Sequence, residues 1–343
     1  MDNGCAAQEG TGIVPAILNA VRGRKSRPIE AACDPDPSTS ASQPIRAHWL
    51  QSILDRNVTS RIWLADTLAQ EVFLHLAMNL DPLFVAETPQ ILILNGPFGV
   101  GKTVSLDETL SRCGCEKVRI QASELESPHA GVPAERIREA YMRASRLQGE
   151  RDRPHALVID DIHLGLGVDA NTTKTINTQL VVAALMGICD DPLHVGKEPT
   201  ERIPIFATAN DLTHMCGALL RPGRARVIAV ELSGMERQRI VTHILRDFLT
   251  PEQAARLCAA CPTWSIAAFR QLKGQLLRRS FDRRHQGRTA EQILKDLMTP
   301  PQAAPTLATA ASPVNPEELD RAALALDSEA AAKRDFTREA AAA

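Results

Sequence analysis

One stretch of the sequence combines glycines, a lysine and a threonine at the spacing of a phosphate-binding loop. It reads Gly96-Pro97-Phe98-Gly99-Val100-Gly101-Lys102-Thr103. Glycines let a loop turn its N–H groups inward onto a polyphosphate, and a helix beginning near Lys102 would aim its positive end at the same place. We expect the Lys102 ammonium to reach the β- and γ-phosphates and the Thr103 hydroxyl to take one Mg²⁺ position. The stretch therefore predicts a nucleoside triphosphate and Mg²⁺ as ligands.

Two adjacent acids, Asp160 and Asp161, end the apolar run that begins at Ala156. In nucleotide hydrolases such a strand places one carboxylate beside Mg²⁺ and another where it can polarise the attacking water. We expect Asp160 to serve the metal, through water, and Asp161 to act as the base. An isolated acid pair is also common at a solvated strand end, but the phosphate-binding loop upstream favours the catalytic interpretation.

An amide and two guanidinium groups follow further along the chain. Asn210 ends the apolar run that starts at Ile203. Its amide could hold a water against the γ-phosphate. The alternative is that this Asn only forms a turn at the end of the strand. Arg221 and Arg224 flank a Pro-Gly turn beyond that run. We expect them to reach the nucleotide of a neighbouring subunit, where guanidinium stabilises transition-state charge; the alternative is a pair of surface ion pairs.

Alternating strand and helix patterns must position these residues. A parallel sheet with helical crossovers carries its phosphate loop at the carboxyl ends of the strands. The predicted strands are 91–95, 117–121, 155–160, 203–208 and 226–231, and the predicted helices between them are 102–113, 133–147 and 172–190. The fold class is therefore α/β.

We predict five segments along the chain: a flexible N-terminal segment at 1–45, a helical lead-in at 46–90, the α/β nucleotide-binding part at 91–232, a small all-helical lid at 233–300, and an Ala/Pro-rich tail at 301–343.

Composition narrows the function classes. The 343 residues carry a net charge of −2 and only 3% aromatic residues, which argues against a nucleic-acid-binding face or a base-stacking platform. No apolar run has the length of a membrane span, so we expect no membrane. The eight cysteines are scattered and are best interpreted as reduced thiols, which favours a cytoplasmic location, with the chloroplast stroma as the alternative.

The motif order and the helical segment after it resemble an AAA+ ATPase over about residues 90–300. A closer resemblance, to Rubisco activase of the green or plant type, is carried by the stretches Ser123–Arg138, Asn177–Pro192 and Ile203–Asp211. It implies a ring, expected to be a hexamer, whose ATP hydrolysis remodels Rubisco and releases inhibitory sugar phosphates. It assigns the roles given above to Lys102, Thr103, Asp161, Asn210, Arg221 and Arg224.

The same resemblance adds expectations and shows departures. Lys273 falls where the family has the arginine of a second nucleotide sensor, and Arg270 lies close by, so both are candidates. Asp160 stands where the plant proteins commonly have Asn, and His163 replaces an acid after the catalytic pair. Two loops, Glu124–Gly131 and Leu164–Asn171, would face the channel of a ring, or else be ordinary surface loops.

Three other functions stay open on the sequence alone. One is an AAA+ chaperone that remodels a different protein client, because the two ends of the chain match nothing in the family. Another is a nucleic-acid-associated AAA+ ATPase, against which the charge and the scarcity of aromatic residues weigh. The last is a nucleotide-binding scaffold without enzymatic activity, which the complete set of hydrolytic groups disfavours.

Overall fold

The computed structural model of the protein describes residues 48–125, 127–166, 176–213 and 215–298. The predicted N-terminal segment and the Ala/Pro-rich tail therefore lie outside the described residues. So does most of the second predicted channel loop, from residue 167 onward.

Five parallel strands form one sheet in the order β2-β3-β4-β1-β5. This arrangement confirms the predicted α/β class, and each strand lies within two residues of its predicted ends. The strands are β1 (Ile91–Asn95), β2 (Glu116–Gln121), β3 (His155–Asp160), β4 (Ile205–Ala209) and β5 (Ala225–Ala229). The loop after β1 thus lies between β4 and β5 at the carboxyl edge of the sheet, which is where open α/β sheets bind their ligands.

Helices precede the sheet and connect its strands. Two lie in the lead-in, and four follow strands β1, β2 and β3. They are α1 (His48–Leu54), α2 (Asp66–Leu80), α3 (Lys102–Arg112), α4 (Val132–Arg151), α5 (Ile162–Leu166) and α6 (Ile176–Asp190). Short 3₁₀ turns occupy Asp55–Asn57, Val85–Glu87 and Ala122–Leu125. The segment predicted as a helical lead-in, residues 46–90, thus contains two helices with an irregular link between them.

Both faces of the sheet are buried, which explains why its central strands are apolar at successive positions. On one face, Ile91 and Ile93 pack in a cluster with side chains of α4 and α6, including Ile137 and Leu185. On the other face, a second cluster combines the alternate strand residues with side chains of α2 and α3. The two helical layers therefore hold the carboxyl edge of the sheet, and the loop after β1, in a fixed place.

A group of helices follows the sheet and has its own apolar core around Phe269, Leu272 and Leu245. Its members are α7 (Gly234–Leu245), α8 (Pro251–Ala260), α9 (Ile266–Arg284) and α10 (Ala290–Leu297). Side-chain oxygens of Ser233, Thr250, Ser265 and Thr289 cap their first turns. No helix of the described residues is both long enough and apolar enough to span a bilayer.

Candidate functional site

The loop between β1 and α3 has a backbone that only glycine accommodates well at two positions. Gly99 and Gly101 have φ values of 73° and 100°, in the left-handed region. A Cβ at Gly96 would lie 2.9 Å from the carbonyl oxygen of Val230, and one at Gly99 would lie 2.9 Å from the Cβ of Ala267. The loop is thus drawn tightly against β5 and α9. Because α3 begins at Lys102, the free N–H groups of its first turn face the same space.

Lys102 lies at the centre of this loop and is 94% buried. Its Nζ donates hydrogen bonds to the carbonyl oxygens of Gly96 and Pro97, at 2.8 and 3.0 Å, and to Oδ1 of Asn210 at 2.6 Å. Burial lowers the pKa of Lys102 from its ordinary value, and the nearby Asp161 carboxylate opposes that shift. These three acceptors are neutral, so the ammonium could exchange them for the charged oxygens of a phosphate, which bind it more strongly.

Asp161 follows β3 in a left-handed conformation, with φ of 50°. A non-glycine residue there is uncommon, and such strain is found at functional sites. Its N–H donates to Oγ1 of Thr208 on β4, at 3.0 Å, which fixes the turn from β3 into α5. The structure therefore brings Asp161 to the wall of the same cavity as Lys102 and Asn210.

Asp160 ends β3 and forms an ion pair with Arg119 of β2. The same guanidinium also pairs with Asp107 on α3, so one arginine bridges two carboxylates. Burial raises the pKa of Asp160, and the Arg119 guanidinium opposes the shift. The second carboxylate oxygen, Oδ1, is buried and has no hydrogen-bond partner among the described residues. The structure thus pairs Asp160 with Arg119 and does not place it among the residues that line the cavity with Lys102 and Asp161.

Asn210 connects Lys102 to a residue that the sequence marked only as a departure. Its Oδ1 accepts from Lys102, and its Nδ2 lies 3.2 Å from Nε2 of His163 on α5. The three side chains form a chain of hydrogen bonds along the carboxyl edge of the sheet, from α3 past β4 to α5.

A cavity of about 310 Å³ opens above the loop, at the small end of the range for ligand sites. The polar part of its lining, called here the polar end, consists of Lys102, Thr103, Asp161 and Asn210. The apolar part, called the apolar end, combines side chains from the lead-in and from the helical group. The apolar wall contains Ile62, Trp63, Ile240, Ile266 and Ala267. The cavity thus offers a charged end suited to phosphates and an apolar end suited to a flat base.

Ile62 and Trp63 were not predicted as site residues. Trp63 falls within the predicted helical lead-in, whereas the structure places it in the irregular link before α2, on the cavity wall. The residues of this link have no spacing pattern that indicates a ligand site.

Of the two candidates for a second sensor, the structure brings Arg270 to the cavity. Lys273 lies on the same helix, α9, but its Nζ is engaged with Oδ2 of Asp247 at 2.7 Å and does not line the cavity. Of the two, Arg270 alone lines the space that a ligand would occupy.

The two arginines of the Pro-Gly turn differ in their surroundings. Arg224 makes a bidentate ion pair with Asp190, at 2.9 and 2.8 Å, and also donates to the carbonyl oxygen of Ala218. The Arg221 side chain is exposed and makes no ion pair or hydrogen bond within the described ranges. Neither lines the cavity of its own chain. Arg221 is therefore the guanidinium that is available to another molecule.

The comparison with family models gives a class for this site. The model of the AAA family, the ATPase family associated with various cellular activities, matches residues 92–232. That range runs from β1 to just beyond β5 and includes Lys102, Asp161, Asn210 and Arg221. The chain therefore contains a domain of the AAA ATPase family.

Curated relatives of this chain are named ribulose bisphosphate carboxylase/oxygenase activase. The protein of that name from an Anabaena species is 33% identical over 222 residues, which is 62% of this chain and 54% of the relative. The chloroplastic proteins of Zea mays and Cucumis sativus are each 30% identical, over 258 and 260 residues, covering 73% and 74% of this chain and 59% and 62% of the relatives. The chain thus spans little more than half the length of the relatives that it matches.

Proposed function

We propose that this protein is an ATPase that works in a ring, expected to be a hexamer, and uses ATP hydrolysis to remodel Rubisco and release inhibitory sugar phosphates. The observation that carries the ATPase part is the meeting of Lys102, Asp161 and Asn210 at the polar end of a glycine-lined cavity. The similarity to proteins named as Rubisco activases supports the choice of client. On this proposal the protein works in the cytoplasm or, alternatively, in the chloroplast stroma.

Nucleotide binding would use both ends of the cavity. The N–H groups of the glycine loop and of the first turn of α3 would bind the phosphates, and Lys102 would exchange its three neutral oxygen partners for phosphate oxygens. The base would lie against Ile62 and Trp63, while Arg270 would contact a phosphate as the second sensor. Because α9 carries Arg270 and also touches Gly99, the helical group would act as a lid over the bound nucleotide.

Hydrolysis would use Asp161 as the base that polarises water, and the Asn210 amide as the group that orients it. Thr103 and the free oxygen of Asp160 would hold Mg²⁺ or its water ligands. When bound, Mg²⁺ neutralises charge on the phosphate oxygens. Arg221 would add a positive charge to the site of the neighbouring subunit.

The ion pair between Arg119 and Asp160 leads to a prediction about the metal. The guanidinium occupies one oxygen of Asp160 and places a positive charge beside the proposed Mg²⁺ position. Arg119→Met should therefore lower the Mg²⁺ concentration for half-maximal ATPase activity, by about fivefold for one nearby charge. Lys117→Met is the matched control: this lysine lies on the same strand and pairs with Asp107 at 3.1 Å, and it has no ion pair with Asp160. An unchanged or higher Mg²⁺ requirement in Arg119→Met would contradict this role of Asp160.

The client is tested by reactivation. Rubisco blocked by a tight-binding sugar phosphate should recover carboxylation activity faster with this protein and ATP than with the protein and ADP. Several Rubisco forms should be tried, because the chain matches only part of each relative's length. Active ATP hydrolysis without recovery of any Rubisco form would refute the client and leave the ATPase intact. Capture of an unrelated protein by the hydrolysis-deficient Asp161→Asn variant would instead identify a different remodelling client.

A further inference from the structure

The Asn210 amide lies between the Lys102 ammonium group and the His163 imidazole. The Lys102 donor determines which end of the amide faces which neighbour. The Nζ of Lys102 can only donate, so the amide oxygen must face it, as the 2.6 Å contact shows. The amide nitrogen then faces Nε2 of His163 at 3.2 Å. Because an amide nitrogen also only donates, this contact is a hydrogen bond only where Nε2 is the unprotonated ring nitrogen. The other ring nitrogen, Nδ1, is buried and has no hydrogen-bond partner among the described residues.

We propose that His163 is a positioning residue that holds the Asn210 amide in this orientation for ATP hydrolysis. An Asn amide is nearly symmetric in shape, so packing alone does not distinguish its oxygen from its nitrogen. Lys102 sets the orientation while its ammonium is bound to Oδ1. The proposed function requires the ammonium to move to a phosphate. The contact with His163 is then, among the described residues, the one left that favours one orientation of the amide over the other. This inference rests on the proposed ATPase function.

The backbone around His163 is arranged so that its ring stays at this distance. His163 lies two residues after Asp161, whose N–H is bonded to Thr208 of β4. Ile162, between them, is fully buried in the core of the sheet. Asn210 directly follows β4. The start of α5 and the end of β4 are therefore joined by two hydrogen bonds, one through the backbone of Asp161 and one through His163. A shift of either element would move the amide relative to the base.

The histidine at position 163 is a departure of this chain from the family that it resembles. The resemblance to Rubisco activases places an acid at this position, and a carboxylate would also accept from the Asn210 amide nitrogen. A neutral imidazole keeps the acceptor while adding no negative charge beside the phosphate end of the cavity. On this proposal the feature that matters at position 163 is a hydrogen-bond acceptor, not a charge, and substitutions should follow that rule.

The test compares side chains with and without an acceptor at the position of Nε2. His163→Leu should lower kcat by about 10- to 100-fold, because a misplaced reacting group costs this much, while the KM for ATP stays within about threefold. His163→Gln, whose Oε1 can accept at the same place, should recover most of the lost kcat. His194→Leu is the matched control, since His194 is exposed and pairs with Asp191 on a distant turn. If His163→Leu does not fold, His163→Ser, which is too short to reach Asn210, replaces it.

A double-mutant cycle separates positioning from general damage. Once Asn210→Ala has removed the amide, His163→Leu should lower kcat by less than about twofold more, because the two residues act as one unit. Full additivity of the two effects, or wild-type kcat in His163→Leu, would overturn the inference. The proposed function fails differently: in that case the wild-type protein itself shows no ATPase activity above the Lys102→Ala variant.

Discussion

Replacing Lys102 with alanine should lower ATP turnover by about 100-fold or more, since removing one preorganised positive group from a phosphate site has effects of this size. The ammonium is buried in the glycine loop, and Lys102 is the one lysine of the described residues that lines the cavity. Lys197→Ala is a suitable control, because Lys197 is exposed and lies away from the cavity. Turnover within twofold of wild type in Lys102→Ala would refute the site.

The same variant gives a binding result that does not depend on turnover. A ligand that binds only the folded state raises the melting temperature as its concentration rises. Wild-type protein should therefore melt at higher temperature with ATP and Mg²⁺, and Lys102→Ala should show little or no shift. Differential scanning fluorimetry measures both proteins under the same conditions. An equal shift in the two proteins would show that ATP binds elsewhere.

Arg221→Ala should reduce kcat by about 1,000-fold, in the range found for arginines that act on the nucleotide of a neighbouring subunit. Its ATP affinity should stay near that of wild type, because Arg221 does not line its own cavity. The exposed Arg143 provides a matched surface control as Arg143→Ala. Binding of a fluorescent ATP analogue and steady-state turnover give the two quantities separately. A loss of affinity equal to the loss of turnover would place Arg221 in its own nucleotide site.

Mixed assemblies decide whether Arg221 acts between subunits. A Lys102→Ala subunit lacks a working cavity but keeps Arg221, whereas an Arg221→Ala subunit has the reverse defect. Mixing the two inactive proteins should restore part of the activity, because some cavities would then face an intact arginine. Arg224 is less suited to this role because Asp190 already holds its guanidinium in a bidentate pair. No recovery on mixing, under conditions where the subunits exchange, would argue against action between subunits.

The parts of the site that the sequence predicts well are those encoded in continuous stretches. The glycine loop, Asp161 and Asn210 each follow a buried strand, and parallel strands bring their carboxyl ends to one edge. Their meeting around Lys102 therefore follows from the strand assignments alone. The sheet positions were predictable for the same reason, since the central strands β1, β3 and β4 have nearly continuous apolar runs between polar turns.

The parts that could not be predicted depend on packing between distant segments. Trp63 reaches the cavity only because the link before α2 packs near the helical group. The choice between Arg270 and Lys273 depends on which face of α9 meets the loop, and the Asp247 partner of Lys273 lies 26 positions away. The pairing of Asp160 with Arg119 likewise depends on β2 and β3 lying side by side in the sheet. No local spacing rule identifies any of these contacts.

The most direct test of the account is a structure of the assembled Asp161→Asn variant with ATP and Mg²⁺, determined by electron cryomicroscopy. We predict a triphosphate bound to the loop at residues 96–103, its base against Ile62 and Trp63, and the Arg221 guanidinium of a neighbouring subunit at the γ-phosphate. An empty loop at saturating ATP, or an Arg221 side chain directed away from every neighbouring nucleotide, would contradict it.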